Sequence, residues 1–335
     1  PNELMPSSSD TVSGRGWNFK KWGDLFNDRQ LLTLNTLKES FNEISNEIDK
    51  SNVGSNEYKN AILTYLGLWI SRIASFNSTF CIWAVTSEII KNPFGRQALP
   101  MNFDYPESNP FSESSGSALT QLKYLVDVIR QETNINSYEP SEVFYGSADS
   151  LPLQNQSCSI VVTDPPYFDA IAYADLSDFY YVWLKRVLGN TLPEVFSTPL
   201  TPKNGEVTAL KHRHGGSAEK ANNHFVNSLK QCLIESKRVC NDDGLFAIMF
   251  AHQSTEAWAA LIDALFSAGL SVNATFPIDT ELTTALKKNV SALSSSITVI
   301  CRSRIANEIQ TLKSIRVEID KAVKKAIDSL PDNQR

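Results

Sequence analysis

Apolar residues in the first third of the chain recur every three or four positions. The clearest examples are Leu31, Leu34, Leu37, Ile62, Tyr65, Leu66, Trp69 and Ile73. This spacing puts side chains on one face of a helix, and it predicts two or three amphipathic helices between residue 28 and about residue 90. Residues 119–131 return to the same period and predict another helix. Between them, repeated prolines and asparagines in residues 92–111 predict a structured loop.

The second half of the chain alternates between strand-like and helical patterns. Short β-rich or continuously apolar runs predict strands, at residues 142–145, 159–163, 244–251, 270–276 and 297–302. Residues 218–239 and 255–268 predict helices, and Gly269 is suited to end the second one. This alternation is typical of an α/β fold with a mainly parallel sheet and helices on both faces. Residues 306–330 predict a charged C-terminal helix.

Composition narrows the class of protein. Neither a signal-peptide pattern nor an apolar run long enough to span a bilayer is present, which predicts a soluble cytoplasmic protein with no membrane partner. The five cysteines are scattered without zinc-ligand spacing, which predicts reduced thiols and no metal site. The net charge of −6 excludes a uniformly basic nucleic-acid surface, so contact with DNA would require a local basic patch.

The tetrapeptide Asp164-Pro165-Pro166-Tyr167 carries the most specific chemistry. It follows the predicted strand 159–163 directly, at the end of the strand where open α/β sheets bind ligands. Two prolines hold an extended loop with free carbonyl oxygens. The Asp164 carboxylate and the Pro165 carbonyl could accept the two hydrogens of an exocyclic amino group and stabilise the positive charge that develops as its nitrogen attacks a methyl group. Tyr167 could stack on a base that has left the duplex.

The residues around this motif resemble a known family. The strings TDPPYFDAIAYADLSDFYYVWLKR (163–186), WGDLFNDRQ (22–30) and NPFGRQALPMNFDYPESNPF (92–111) are similar to bacterial and archaeal adenine-specific DNA methylases whose full-length members also carry a zinc ribbon. The similarity extends from about residue 17 to residue 302. It implies a Rossmann-like methyltransferase sheet, S-adenosyl-L-methionine as cofactor, and methylation of the exocyclic amino group of adenine in DNA. A role in restriction-modification follows by family analogy only.

The resemblance also implies roles for individual residues. Asp164, Pro165, Pro166 and Tyr167 match the catalytic motif, and Asp164 would also border the cofactor. Asp149 matches an acidic residue that contacts the adenine of S-adenosyl-L-methionine; the alternative is a turn or helix-capping residue.

Three further residues are candidates for contact with the nucleic acid. Tyr173 is placed to line the base pocket or the DNA cleft. Lys211 and Arg213 lie in a basic loop that either contacts phosphate or is simply solvated. Asp175 and Asp178 are interpreted as the start of the next helix.

Two features of the resembled family are missing. No glycine-rich turn follows a strand, and there is no zinc ribbon. The chain, which begins at Pro1, is therefore predicted to be the C-terminal part of a longer or split methylase whose sheet is incomplete on its N-terminal side. Its predicted segments are a linker (1–16), a helical insertion or accessory region (17–140), a catalytic region (141–304) and a charged helix (305–335).

The expected partners are DNA and the missing N-terminal methylase portion or a partner subunit. Two alternatives stay open at this stage. One is methylation of RNA or of cytosine, and the other is an inactive DNA-binding or scaffold subunit of a defence system.

Overall fold

A computed structural model describes residues 1–6, 17–95, 98–99, 101–133, 141–278, 296–304 and 312–328. These residues form a mixed α/β fold with seven α-helices, a two-stranded hairpin and a four-stranded mixed sheet. The predicted α/β class is confirmed at this level. No helix in the described ranges is long and apolar enough to cross a membrane, and the five cysteines are all free thiols.

Four helices form a helical region: α1 (Asp28–Lys50), α2 (Asn56–Phe76), α3 (Ala118–Thr133) and α4 (Tyr173–Leu188). Local sequence starts two of them, because Asn27 and Gln30 form a reciprocal capping box at α1 and Ser55 accepts the Tyr58 N–H at α2. The aromatic side chains of Phe179 and Trp183 on α4 are fully buried with residues from α1, α2 and the loops around them. α4, the helix that follows the motif, therefore contributes large residues to the core of the helical region.

Two segments near the N-terminus differ from their predictions. Residues 82–91 form an antiparallel hairpin, β1 (Ile82–Ala84) and β2 (Ile89–Lys91), so the prediction of helix up to about residue 90 is wrong there. The helix does not continue to residue 90 because α2 ends at Phe76. The Asn77 side chain there donates a hydrogen bond to the Ile73 carbonyl. The first six residues of the predicted linker pack against residues 17–25, with Met5 buried; residues 7–16 lie outside the described residues.

The larger sheet consists of β3 (Cys158–Thr163), β4 (Cys240–Phe250), β5 (Leu270–Ile278) and β6 (Ser296–Ser303), in the order β3-β4-β6-β5. β3 and β4 are parallel, whereas β6 lies antiparallel to both β4 and β5. Three strands thus point the same way and β6 is reversed between two of them. The sheet is mixed rather than mainly parallel.

Two helices cover one face of this sheet. α5 (Ala218–Val239) and α6 (Thr255–Ser267) pack on alternate residues of β4, namely Phe246, Ile248 and Phe250, which are at most 1% exposed. Among the described residues no helix belongs to a core on the opposite face, so the prediction of helices on both faces is not met in that part of the chain.

Residues 142–145 and the C-terminal helix were also predicted from the sequence. Residues 142–145 were predicted to form a strand, but they are extended without a partner strand, and Val143 is 91% exposed. The prediction is wrong because a β-rich run becomes a strand only where another strand can receive its hydrogen bonds. The charged helix α7 (Leu312–Asp328) lies inside the predicted range 306–330, whose two ends lie outside the described residues.

The covered face gives a direct stability test. Replacement of the fully buried Phe246 by Ala leaves a cavity beneath α5 and α6, and we expect a loss of about 3–5 kcal/mol in the free energy of unfolding. The matched control is Phe266→Ala on α6, whose side chain is 49% exposed and should cost less than about 1 kcal/mol. Urea unfolding followed by circular dichroism measures both, and equal losses would contradict the assigned core.

Candidate active site

The chain turns sharply at the carboxyl end of β3. Thr163, the last residue of β3, pairs with Ile248 of β4, and the motif Asp164 to Tyr167 follows at once. The Phe168 N–H donates to the Pro166 carbonyl at 3.0 Å, and Phe168 itself has a φ of 57°. A bulky residue rarely adopts this left-handed conformation, so the turn stores strain.

Packing holds this strained turn in place. Phe168 is 6% exposed, and its ring lies 5.1 Å from the ring of Phe225 on α5. Its carbonyl also accepts the Ala209 N–H at 2.9 Å. The core beneath the sheet thus determines the path of the motif loop. Strain of this kind is characteristic of functional sites.

Three of the sequence-predicted residues, Asp164, Tyr167 and Tyr173, lie close together. The phenol of Tyr167 hydrogen-bonds to the Asp164 carboxylate; burial raises the pKa of Tyr167 well above its usual range, and the bond to Asp164 and its charge raise it further. Burial also raises the pKa of Tyr173, with added contributions from the charges of Asp164 and Glu206. The Tyr167 ring packs edge-on against Phe250 at 5.5 Å. Asp164 therefore lies within electrostatic reach of two tyrosines that remain protonated.

The Pro165 carbonyl is free to act as an acceptor. Within the described part of the chain no donor reaches this oxygen, and the Pro166 carbonyl beside it is already used by Phe168. Proline nitrogens donate no hydrogen bond, so Pro165 and Pro166 present acceptors only. The site thus offers one carboxylate and one carbonyl oxygen from consecutive residues.

The predicted basic loop is attached to the start of α4. Arg213, in a short 3₁₀ helix, forms ion pairs with Asp175 at 3.0 Å and with Glu206, and the same Glu206 accepts the Ala174 N–H at 2.9 Å. Both carboxylates are at most 11% exposed. Arg213 is therefore engaged inside the protein, whereas Lys211 at the start of the same turn is exposed.

Asp178 attaches the same loop one turn further along α4. Its buried carboxylate accepts the Thr201 N–H at 2.8 Å and the Lys203 ammonium at 2.7 Å. Asp175 and Asp178 lie in the first two turns of α4, as the sequence indicated. Their role in the structure is to hold residues 201–213 beside the motif.

Asp149 lies apart from this cluster. It is exposed and close to Cys232 of α5, whose pKa is raised to about 11, chiefly by burial and then by the Asp149 charge. The residues after it are fixed to the end of α5, since Arg238 donates to the carbonyls of Leu151 at 3.0 Å and Leu153 at 2.9 Å. Among the contacts of the described residues, none joins Asp149 to Asp164.

Sequence reasoning missed His252, which follows β4. Its Nδ1 accepts the Ser254 N–H at 3.1 Å, so the proton is on Nε2, which donates to Asp169 Oδ1 at 3.1 Å. The ring also lies 5.7 Å from that of Phe168. The only available signal was its position directly after the apolar run 244–251, since β4 ends at the same edge of the sheet as the motif strand.

No group of three or more His, Cys, Asp or Glu side chains in the described ranges could hold a metal ion. Comparison of the chain with protein-family models, with curated proteins and with solved structures found no match. The function is consequently inferred from the residues themselves.

The buried ion pairs predict that Arg213 contributes much more to the free energy of unfolding than the nearby Lys211. Arg213→Ala leaves Asp175 and Glu206 without their shared cation, and we expect it to destabilise the protein by roughly 3 kcal/mol, because an uncompensated buried charge is costly. Lys211→Ala is the control and should change the unfolding free energy by less than about 0.5 kcal/mol, since Lys211 is exposed. Thermal unfolding of both variants checks this, and a neutral Arg213→Ala would show that the pairs do not hold the loop.

Proposed function

We propose that the protein transfers a methyl group from S-adenosyl-L-methionine to the exocyclic amino group of adenine in DNA, as the target-base half of a methyltransferase with a Rossmann-like sheet. The observation that carries this proposal is the pair of acceptors, Asp164 and Pro165, at the carboxyl end of β3 beside Tyr167 and Tyr173. The sequence predicted Asp164 and Tyr167 as catalytic residues, and Tyr167 and Tyr173 as residues that bind the base.

The acceptor pair suits an amino group that must become a nucleophile. The lone pair of an exocyclic amino nitrogen is delocalised into the ring of the base. If the Asp164 carboxylate and the Pro165 carbonyl each accept one of its hydrogens, the nitrogen is oriented and its developing positive charge is stabilised. The proton leaves to water after transfer. S-adenosyl-L-methionine supplies the activated methyl group when it is bound.

Aromatic rings beside the acceptors suit a base turned out of the duplex. Unstacking a base costs a few kcal/mol, and stacking on an aromatic side chain returns about 1–3 kcal/mol. Tyr167 is fixed edge-on against Phe250, and Tyr173 is 48% exposed at the start of α4. Both tyrosines have raised pKa values, so each keeps a hydroxyl proton that it can donate.

The residues present fit one side of the cofactor. Asp149 is exposed and belongs to a segment that Arg238 fixes to α5, so its carboxylate is available to the adenine of S-adenosyl-L-methionine. Asp164 would border the methyl group. The sequence provides no glycine-rich turn for the methionine moiety, so we expect weak cofactor binding until a partner or a further segment supplies it.

Contact with DNA is assigned to the loop that α4 holds. The exposed Lys211 is the residue we propose to contact phosphate, while Arg213 positions the loop through Asp175 and Glu206. A local basic turn is consistent with the net charge of −6, which argues against a uniformly basic surface.

Removal of the Asp164 charge tests the proposed chemistry. Asp164→Asn keeps the shape of the side chain but loses its negative charge, and we expect the rate of methyl transfer to fall about 10²- to 10³-fold. The control is Asp263→Asn, an exposed carboxylate on α6. The enzyme is purified from its own host through a tag on this chain, and N6-methyladenine is quantified by mass spectrometry of nucleosides from DNA.

Several outcomes would contradict the proposal. A variant that keeps more than about a tenth of the wild-type rate has lost less than about 1.4 kcal/mol of transition-state stabilisation, too little for the assigned role. Detection of methylated cytosine, or of methylated nucleosides in RNA only, would mean that the substrate is not adenine in DNA. The absence of any methylated nucleoside from an assembly that binds DNA would favour a scaffold subunit.

Two substitutions of Tyr167 separate the contribution of its ring to catalysis from that of its hydroxyl. Tyr167→Phe keeps the stacking face and should retain most of the activity, whereas Tyr167→Ala should lose about 1–3 kcal/mol of transition-state stabilisation. Steady-state kinetics on the same DNA measures both. If the two variants lose the same activity, the hydroxyl bond to Asp164 is what matters, and the stacking role is wrong.

A further inference from the structure

His252, which follows β4, is held from two sides by the start of α6. Its Nδ1 accepts the N–H of Ser254, the residue that caps α6, at 3.1 Å. Its carbonyl accepts the Trp258 Nε1–H at 3.0 Å. The imidazole is only 16% exposed. Because the ring and the backbone are both bonded to α6, the imidazole is fixed in one tautomer, and its Nε2–H is left to donate elsewhere.

The acceptor of that hydrogen bond is Asp169, in the turn directly after the motif. This turn runs from Tyr167 to Ala170, and the Ala170 N–H donates to the Tyr167 carbonyl at 3.0 Å. Asp169 Oδ1 accepts the His252 Nε2–H at 3.1 Å, although the Asp169 side chain is 43% exposed. No other side chain in the described ranges bonds to this carboxylate. A single hydrogen bond therefore joins the tip of the turn to the end of β4.

The turn depends on such an anchor because its backbone is strained. Phe168, which lies between Tyr167 and Asp169, has a φ of 57°. A bulky residue keeps this conformation only where its surroundings hold it there. Burial of the Phe168 side chain is one restraint, and the His252 ring also lies 5.7 Å from the Phe168 ring. His252 thus contacts both central residues of the turn.

A chain of ring contacts joins the same histidine to the motif through the sheet. Trp258, which donates to the His252 carbonyl, packs on Phe250 with ring centroids 5.0 Å apart. Phe250 packs on Tyr167 at 5.5 Å, and the Tyr167 phenol hydrogen-bonds to the Asp164 carboxylate. A shift of the turn would therefore displace the aromatic ring and the carboxylate of the motif together.

We infer that His252 is a positioning residue for methyl transfer, which acts through Asp169 to fix the turn after the motif and so the direction of Asp164 and Tyr167. The inference rests on the proposed function. A role as proton acceptor does not fit, because Nε2 carries the proton and the lone pair of Nδ1 is occupied by the Ser254 N–H. A purely structural role in starting α6 would need Nδ1 alone and would make no use of Asp169.

Two substitutions of His252 separate these roles. Asn keeps an acceptor close to the position of Nδ1 but is too short to reach Asp169, whereas the longer Gln can place an amide N–H near the position of Nε2. We expect His252→Asn to lower kcat about 10- to 100-fold, because a small misplacement of reacting groups is costly. The KM for DNA should change by less than about twofold. His252→Gln should restore most of the lost kcat.

Both variants are measured in the assembly purified from its own host through a tag on this chain, with the exposed Asp263→Asn as control. Equal losses of kcat in His252→Asn and His252→Gln overturn the inference, as does an effect on KM alone.

Asp169 provides the reciprocal test. Asp169→Asn keeps an oxygen that can accept from His252, and its kcat should stay within about threefold of the wild-type value, whereas Asp169→Ala should lose as much as His252→Asn. The double variant Asp169→Ala/His252→Asn should be no slower than either single variant, because both changes remove the same hydrogen bond. Additive losses would show that the two residues act separately, and they overturn the inference.

Hydrogen exchange of the purified chain distinguishes failure of this inference from failure of the proposed function. The peptide 164–172 contains the Phe168 and Ala170 N–H groups, which are hydrogen-bonded within the turn. We expect His252→Asn to speed exchange in this peptide roughly tenfold, and Asp263→Asn to leave it unchanged. Unchanged exchange in His252→Asn overturns the inference. Faster exchange, combined with no methylated nucleoside in DNA from the wild-type assembly, would refute the proposed function and leave His252 as the residue that holds the turn.

Discussion

Two buried carboxylates on one helix control the position of the candidate site. Asp175 and Asp178 lie inside the protein at the start of α4, and a buried charge is tolerated only with partners. All of their partners come from residues 201–213, so this loop is held against the helix that leaves the motif. The same helix places Phe179 and Trp183 in the core of the helical region. The motif loop is thereby fixed between the sheet and the helical region.

This arrangement explains how a strained loop persists. The left-handed Phe168 is stabilised by its contact with Phe225 and by the Ala209 N–H, and the loop beyond it is tied to the end of β4 through Asp169 and His252. Packing over-determines the backbone there, which is the condition under which strain is retained. The consequence is that Asp164 and Pro165 present their oxygens in a set geometry, beside two tyrosines whose pKa values are raised.

The two faces of the larger sheet differ in burial. On one face Phe246 and Cys301 are fully buried beneath α5 and α6, whereas the residues on the other face are partly or largely exposed. Strands with apolar residues on both faces are stable when both faces are covered. Among the described residues, β3 has one edge without a partner strand, and its residues Ile160 and Val162 lie on the exposed face of the sheet.

The sequence by itself determined the local elements and the candidate motif. Hydrophobic period and capping residues predicted α3, α5, α6 and the strands β4 to β6, and the tetrapeptide was recognisable because it follows an apolar strand directly. The tertiary structure decided the rest, because these features depend on partners distant in the chain. Residues 142–145 remain extended for want of a neighbouring strand, Arg213 is bound by carboxylates that no spacing rule predicts, and His252 meets Asp169 across 83 positions. Periodicity reports which face of an element is buried, but only the order of strands in the sheet and the packing of α4 decide which side chains meet.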